Sequence, residues 1–205
     1  MTIALIEDDE AVLRSLSLLL RNRGMTVRCH KTTEDFLQSF GSEQIACVVS
    51  DIRMPGMSGL ELQRELKTRD AAVPVILITG HGDIAMAVNA IKDGAFDFIE
   101  KPFDAEHLID TIGLAIARGQ RNRIEQDARA QLQALVADLS PRQVEVMRLV
   151  AEGFSNKEIA QKLDISPRTV ENYRAWVMEK MGAKNLADLV RKVMILDLGA
   201  STRPD

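Results

Sequence analysis

The chain has 205 residues, enough for one medium-sized domain and one small one. Hydrophobic residues make up 46% and charged residues 27%, which is ordinary for a folded globular protein and excludes a disordered or fibrous chain. The formal net charge of −4 is distributed unevenly, because residues 1–118 hold 12 Lys and Arg against 18 Asp and Glu, whereas residues 139–197 hold 10 against 8. The mildly basic second part hints at an anionic partner there.

The sequence also argues against export, membrane insertion and metal binding through cysteine. The short apolar segment TIALI runs directly into EDDE, unlike a signal peptide, and no apolar run approaches the roughly 18 residues of a membrane span. Cys29 and Cys47 lie far apart without the spacing of a metal site or redox motif. We expect a cytoplasmic protein with reduced thiols and no membrane partner.

In chain order, the first hundred residues alternate short apolar runs with amphipathic stretches. The amphipathic stretches at residues 11–24, 58–67 and 83–92 have helical periodicity. Five runs rich in Val and Ile predict strands at residues 2–6, 25–29, 45–50, 73–79 and 95–99. Strands separated by helices with right-handed crossovers predict a doubly wound α/β domain with a parallel sheet.

The rest of the chain reads as helical. A helix can begin after Asp104 and continue, with a break near Gly119, into an amphipathic linker helix. Beyond residue 139, Ser140, Asn156 and Ser166 mark the starts of three short helices, and a fourth covers residues 186–196. We therefore divide the chain into an α/β domain at 1–118, a helical linker at 119–138 and a small all-α domain at 139–205.

Charged and hydroxyl side chains follow the predicted strands at their carboxyl ends, where doubly wound sheets bind ligands. Clustered carboxylates repel one another, and a hard divalent cation with oxygen ligands, best Mg²⁺, is the usual remedy. A carboxylate can also attack phosphorus, with cationic groups neutralising the phosphoryl oxygens. The predicted cluster is Asp8 and Asp9 after the first strand, Asp51 after the third, Thr79 after the fourth and Lys101 after the fifth.

Each of these residues has a predicted role. Asp51 is the phosphoryl acceptor. Asp8, Asp9 and Asp51 hold Mg²⁺ together with the backbone carbonyl of Arg53, while Thr79 and Lys101 bind phosphoryl oxygens. Glu7 and Glu10 are interpreted as bystanders rather than metal ligands. The three histidines lack metal-ligand spacing, and they are His30, His81 and His107. His81 lies in the loop beside Thr79, where a histidine can tune a site, but the favoured interpretation gives it no role.

Four ordered motifs, EDDE, SDIRMPGMSG, ILITGHGD and FDFIEKPF, resemble the receiver domains of response regulators over residues 1–118. The resemblance implies a flavodoxin-like (βα)5 fold and a sensor histidine kinase as phosphoryl donor. It also implies a switch in which Thr79 moves toward the phosphate while Phe98 turns inward, a cis Lys101–Pro102 bond, and phosphorylation-driven homodimerisation. The dimer face would comprise residues 84–92, the fifth strand and residues 105–117.

The C-terminal helices have the order of a helix-turn-helix, in which the second helix enters the major groove of DNA. Polar side chains near the start of that helix are candidates for reading bases, and basic ones for binding phosphates. The candidate DNA contacts are Lys157, Arg168, Thr169, Glu171, Asn172, Arg174, Ala175, Lys180 and Lys184.

Residues 139–185, beginning LSPRQVEVMRLVAEGFSNKEIAQKL, resemble the LuxR-type helix-turn-helix, and joined to a receiver they resemble the FixJ/NarL family. The resemblance implies a transcription factor that binds double-stranded promoter DNA and engages RNA polymerase. On DNA, two copies would contact each other through the last helix, around residues 187–196. Tyr173 departs from the family, where many members carry His.

Three other functions compete with this one. A haloacid-dehalogenase-like phosphatase would carry its nucleophile in an Asp-x-Asp motif on the first strand, which is absent. We therefore expect no enzyme activity beyond Mg²⁺-dependent self-phosphorylation and autodephosphorylation. The complete acidic cluster argues against a receiver that serves only for docking. A DNA-binding regulator that ignores phosphorylation stays open as an alternative.

Overall fold

The computed structural model describes residues 1–41, 44–69, 72–80 and 84–197. It divides the chain into two compact units, Met1–Arg123 and Ile124–Asp205. None of the described helices combines the length and the apolar character that a bilayer crossing requires.

The first unit is a five-stranded parallel sheet with helices on both faces, as the sequence predicts. The strand order is β2-β1-β3-β4-β5, and all four pairings are parallel. The strands are β1 Thr2–Ile6, β2 Thr26–His30, β3 Ile45–Asp51, β4 Val75–Thr79 and β5 Asp97–Glu100. The helices are α1 Glu10–Asn22, α2 Thr33–Ser39, α3 Gly59–Thr68, α4 Ile84–Asp93 and α5 Ala105–Ala137, whose residues from Ile124 onward belong to the second unit.

Alternation along the strands builds a separate core on each face of the sheet. In β1, Ile3 and Leu5 pack in one cluster with α1 and α5, while Ala4 and Ile6 pack in the other with Phe36 of α2. Strand order reverses between β1 and β3, so the carboxyl ends of these two strands meet at the point where such sheets bind ligands.

The second unit contains four short helices, each beginning where the sequence predicts. They are α6 Pro141–Ala151, α7 Asn156–Leu163, α8 Pro167–Lys180 and α9 Leu186–Asp197. Ser140, Ser155 and Ser166 cap the first three of these helices by accepting a backbone N–H three residues on. Val146, Ile159 and Val177 lie at the centre of a single apolar core.

Three features differ from the sequence-based expectation. The seven-residue helix α2 is too short to show a helical period, so the sequence pattern does not predict it. The helix α5 runs without a break through Gly119, which lies where an added Cβ would come within 2.9 Å of Pro74. Leu132, predicted to belong to a separate linker, is buried in the core of the second unit. His81 and Asp83 lie outside the described residues.

A carboxylate and lysine site with a helix-turn-helix

The phosphoryl-acceptor candidate Asp51 is the last residue of β3, and it is buried, with 7% of its surface exposed. Its two carboxylate oxygens have different partners. Oδ2 accepts the backbone N–H of Arg53 at 2.7 Å, and Oδ1 accepts from Lys101 Nζ at 2.7 Å. The sequence correctly places Asp51 and Lys101 in one site, although 50 residues separate them.

Glu7 belongs to this site through its contact with Lys101, whereas its predicted lack of a metal-binding role stays a prediction. Lys101 Nζ donates to Glu7 Oε2 at 2.7 Å as well as to Asp51, and only 4% of Glu7 is exposed. The lysine therefore lies between two buried carboxylates. Such a pairing is necessary because two adjacent buried carboxylates would otherwise repel each other.

Burial and neighbouring charges make opposing contributions to the pKa values of Glu7 and Lys101, and both values are raised. Burial raises the pKa of Glu7 above its ordinary value, the Lys101 hydrogen bond opposes this rise, and the charge of Asp51 adds to it. Burial alone would lower the pKa of Lys101, but its hydrogen bonds to Asp51 and Glu7 together outweigh that effect and raise it. Lys101 is therefore firmly cationic at neutral pH.

Asp9 does not join the cluster, because it caps α1. Its Oδ1 accepts the backbone N–H groups of Ala11 at 2.8 Å and Val12 at 3.1 Å. These two bonds lower the pKa of Asp9. Asp8 is exposed on the same turn. In the described part of the chain, no three His, Cys, Asp or Glu side chains are gathered in an arrangement ready to hold a metal ion.

The two switch candidates lie on neighbouring strands. Thr79 is fully buried at the end of β4, and its carbonyl accepts the backbone N–H of Lys101 at 2.7 Å. Phe98 is half-buried in β5 and packs against the cluster that contains Phe36 and Leu62. The Lys101–Pro102 peptide is cis, as the resemblance implied. The structure thus places Thr79 one strand away from Asp51.

The helices α7 and α8 form the expected helix-turn-helix. A turn of three residues joins them, with Asp164 in the left-handed conformation at φ 51° and Ser166 capping α8. Val170 and Val177 are buried on the inner face of α8. The outer face carries exposed side chains at helical spacing, which are Arg168, Glu171, Asn172 and Ala175.

The remaining candidates for DNA contact differ in how available they are. Lys157 and Lys184 are exposed, and Thr169 is half-buried beside Ser166. Arg174 is half-buried and donates to Asn156 Oδ1 at 2.7 Å, which ties α8 to the start of α7. Lys180 donates to the Asp138 carbonyl at 2.6 Å. These last two bonds give Arg174 and Lys180 structural roles that the sequence did not reveal.

Comparisons with known proteins bear on both units. Residues 3–113 match the family model for the response regulator receiver domain, and residues 137–193 match that for bacterial regulatory proteins of the luxR family. The chain belongs to the response regulator family. Its second domain makes it a LuxR-type response regulator transcription factor, and the expected flavodoxin-like receiver joined to a small helical domain is confirmed.

Relatives match this regulator over nearly its whole length. It is 45% identical to the transcriptional regulatory protein FixJ of Azorhizobium caulinodans over 190 residues, which cover 93% of this chain and 90% of that protein. It is 43% identical to nodulation protein W of Bradyrhizobium diazoefficiens, covering 96% and 86%. The structure of response regulator StyR matches with a TM-score of 0.78 at 38% identity, covering 94% of this chain and 98% of StyR.

Proposed function

We propose that Asp51 is the residue that accepts the phosphoryl group, with a sensor histidine kinase as donor. The observation that carries this proposal is the geometry of the Asp51 carboxylate, in which Arg53 N–H and Lys101 Nζ each bind a different oxygen at 2.7 Å. A carboxylate held at both oxygens is oriented before the reaction begins. One oxygen attacks phosphorus while the bond from phosphorus to the donor's histidine nitrogen breaks.

Lys101 and Thr79 are proposed to bind the phosphoryl group once it is on Asp51. Lys101 already bridges Asp51 and Glu7, so a phosphoryl oxygen can replace the Asp51 oxygen as its partner while Glu7 keeps the ammonium in place. The hydroxyl of Thr79 approaches from β4, and Phe98 on β5 turns inward behind it. This movement is the proposed switch.

The donor set suits Mg²⁺, because every candidate ligand is a hard oxygen. Asp8, Asp51 and the Arg53 carbonyl would hold the ion, and when bound it would neutralise charge on the phosphoryl oxygens. The third carboxylate is Asp9 in the sequence-based prediction. The structure favours Glu7, because Glu7 already shares Lys101 with Asp51 whereas Asp9 caps α1.

Phosphorylation is proposed to act through homodimerisation. Val88 and Ile91 of α4 are 44% and 47% exposed, one helical turn apart on the predicted dimer face. Pairing of two copies through this face would cover them and align two copies of α8 on DNA. The protein is proposed to catalyse no reaction beyond its own phosphorylation and dephosphorylation, and to act in the cytoplasm, where it meets promoter DNA and RNA polymerase.

The outer face of α8 is proposed to read promoter DNA. Asn172 can bond adenine through both groups of its amide, while Arg168 and Lys157 bind phosphates. Arg168 now pairs with Glu171 at 3.1 Å on an exposed surface. Such a pair is weak and opens readily when a phosphate approaches.

The test compares DNA affinity and oligomeric state with and without acetyl phosphate and Mg²⁺, using DNA sites selected from a random library. We expect phosphorylated wild type to dimerise and bind more tightly, and Asp51→Asn to do neither. Equal affinity and equal oligomeric state in both forms would instead support the phosphorylation-independent regulator.

A charge-matched pair of variants tests the role of α8. Arg168 and Arg14 are both exposed arginines paired with an acidic residue on the same helix, Glu171 and Glu10 respectively. Arg168→Ala should weaken binding and reduce the dependence on salt by about one phosphate contact. Arg14→Ala, on α1 and outside both α8 and the predicted dimer contacts, changes the net charge equally, and an equal loss of affinity would show that charge alone matters.

A further inference from the structure

The first turn of α2 is bonded to the loop that follows Asp51. Thr33 Oγ1 donates to the Met57 carbonyl at 2.9 Å, and the Met57 backbone N–H donates to Glu34 Oε1 at 3.0 Å. Both backbone groups of Met57 are therefore held by two adjacent side chains that are more than 20 residues away in sequence. Thr33 is fully buried.

Gly56 allows the Glu34 carboxylate to sit close to this loop. Its φ of +79° is a conformation that residues with side chains rarely adopt. A Cβ at this position would lie 2.7 Å from Glu34 Oε1. The missing side chain thus provides both the turn and the space that the carboxylate occupies.

The anchored loop also carries the group that orients Asp51. Arg53, two residues beyond Asp51, donates its backbone N–H to Asp51 Oδ2. The loop is fixed at its start by β3, where the Ile52 N–H donates to the Ile78 carbonyl at 2.9 Å, and at its far end by Met57. The Gly59 N–H also donates to the Ile52 carbonyl at 3.1 Å, so the two bonds from α2 to Met57 act together with this bond in holding the far end of the loop.

We propose that Thr33 and Glu34 are positioning residues for the phosphorylation of Asp51, acting through Met57 and the Arg53 N–H. This inference rests on the proposed function, since it concerns the same site. Neither side chain bonds to Asp51. The Met57 N–H holds the pKa of Glu34 below its ordinary value, so Glu34 stays an anionic acceptor at neutral pH.

The test measures the rate of phosphorylation of the full-length protein by acetyl phosphate, with the maximal rate separated from half-saturation by acetyl phosphate and by Mg²⁺. Glu34→Leu removes the acceptor for Met57 N–H, and we expect its maximal rate to fall about 10- to 100-fold, as for a displaced reacting group. Glu34→Gln keeps an acceptor and should stay near the wild-type rate. Thr33→Val, which preserves shape, should also slow the reaction.

Thr32→Ala is the matched control for damage to α2. Thr32 caps the same helix by accepting the Asp35 N–H at 3.1 Å. Its side chain also bonds the Glu34 carboxylate, but it bonds neither backbone group of Met57, which Thr33 and Glu34 still hold in Thr32→Ala. It should destabilise α2 yet leave the maximal rate close to that of wild type. Hydrogen exchange of the peptide containing Met57 should speed up in Glu34→Leu and not in Thr32→Ala.

The outcomes separate the two proposals. Wild type that takes up no phosphoryl group overturns the proposed function and this inference with it. Wild type that is phosphorylated while Glu34→Leu and Thr33→Val match its maximal rate overturns only the positioning role. Equal slowing in Thr32→Ala and Glu34→Leu would also overturn only the positioning role, because the effect would then come from the stability of α2.

Discussion

Removing Lys101 tests how the receiver site keeps two buried carboxylates together. In Lys101→Met, Glu7 and Asp51 lose their common partner, which holds each at 2.7 Å. Breaking a buried ion pair by deleting one member costs about 3–5 kcal/mol. The Lys101 side chain is 25% exposed, so water recovers part of this cost, and we expect a loss of about 2–3 kcal/mol at pH 8 without metal.

The loss should depend on pH through Glu7. Burial raises the pKa of folded Glu7 above its unfolded value, so the folded state holds more protons between the two values. The stability that Glu7 contributes is then present at low pH and lost as pH rises through its folded pKa. Lys101 lowers the pKa of folded Glu7. Its removal in Lys101→Met therefore raises that pKa and extends upward the pH range over which protonated Glu7 contributes stability. The loss should therefore be smaller at pH 5.5 than at pH 8, because protonation of Glu7 in the variant relieves its repulsion with Asp51.

Hydrogen exchange of peptides covering β1 and β3 measures this effect, in mild urea with a chelator and corrected for intrinsic exchange. We expect exchange in Lys101→Met at pH 8 to be about 30- to 160-fold faster than in wild type, from 2–3 kcal/mol at about 1.4 per tenfold. Lys31→Met, which removes an exposed ion pair with Glu10 at 3.6 Å, should change stability by less than about 1 kcal/mol. An equal loss at both pH values in Lys101→Met would refute the reasoning.

Three further predictions concern two glycines and the two thiols. A methyl group at Gly59 would overlap the Asp51 carbonyl oxygen, so Gly59→Ala should lower stability by about 1–3 kcal/mol in thermal unfolding. Gly113→Ala, in the middle of α5 with nothing within 4 Å, should instead raise it by about 0.5–1 kcal/mol, and destabilisation there would contradict the helix assignment. Burial raises the pKa of Cys47 to about 12, so a thiol reagent at pH 8 should modify the exposed Cys29 quickly and Cys47 only after unfolding. Rapid modification of both thiols in the native protein would show that β3 is not protected.

The sequence predicts the fold well because hydrophobic periodicity and strand-end motifs are local signals. The helix starts at Ser140 and Ser166 follow from capping residues that can be read directly. The pairing of Asp51 with Lys101 follows from topology, since parallel strands bring their carboxyl ends to one edge.

The sequence does not decide which of the adjacent carboxylates after β1 points into the site. Glu7, Asp8 and Asp9 lie where β1 ends and no period fixes where each side chain points. Asp9 did carry a usable signal, because an aspartate directly before an amphipathic stretch is a common helix cap. The burial of Glu7 beside Lys101 depends on a partner 94 residues away, which no local pattern reveals.

The same limit applies to the DNA-binding domain. Arg174 looks like a surface arginine in the sequence, yet it bonds Asn156 across the helix-turn-helix. Lys180 likewise reaches the Asp138 carbonyl, 42 residues earlier. Basic residues on a short helix can serve either packing or phosphate binding, and only the three-dimensional contacts distinguish these roles.

The most direct test of the account is whether Asp51 itself carries the phosphoryl group. Full-length protein treated with acetyl phosphate and Mg²⁺ is analysed by intact mass, and borohydride then reduces the acyl phosphate so that peptide mapping locates the modified residue. The account predicts one labile phosphoryl group per chain, reduction at Asp51, and no adduct in Asp51→Asn. An adduct retained by Asp51→Asn, or reduction at another carboxylate, would contradict it.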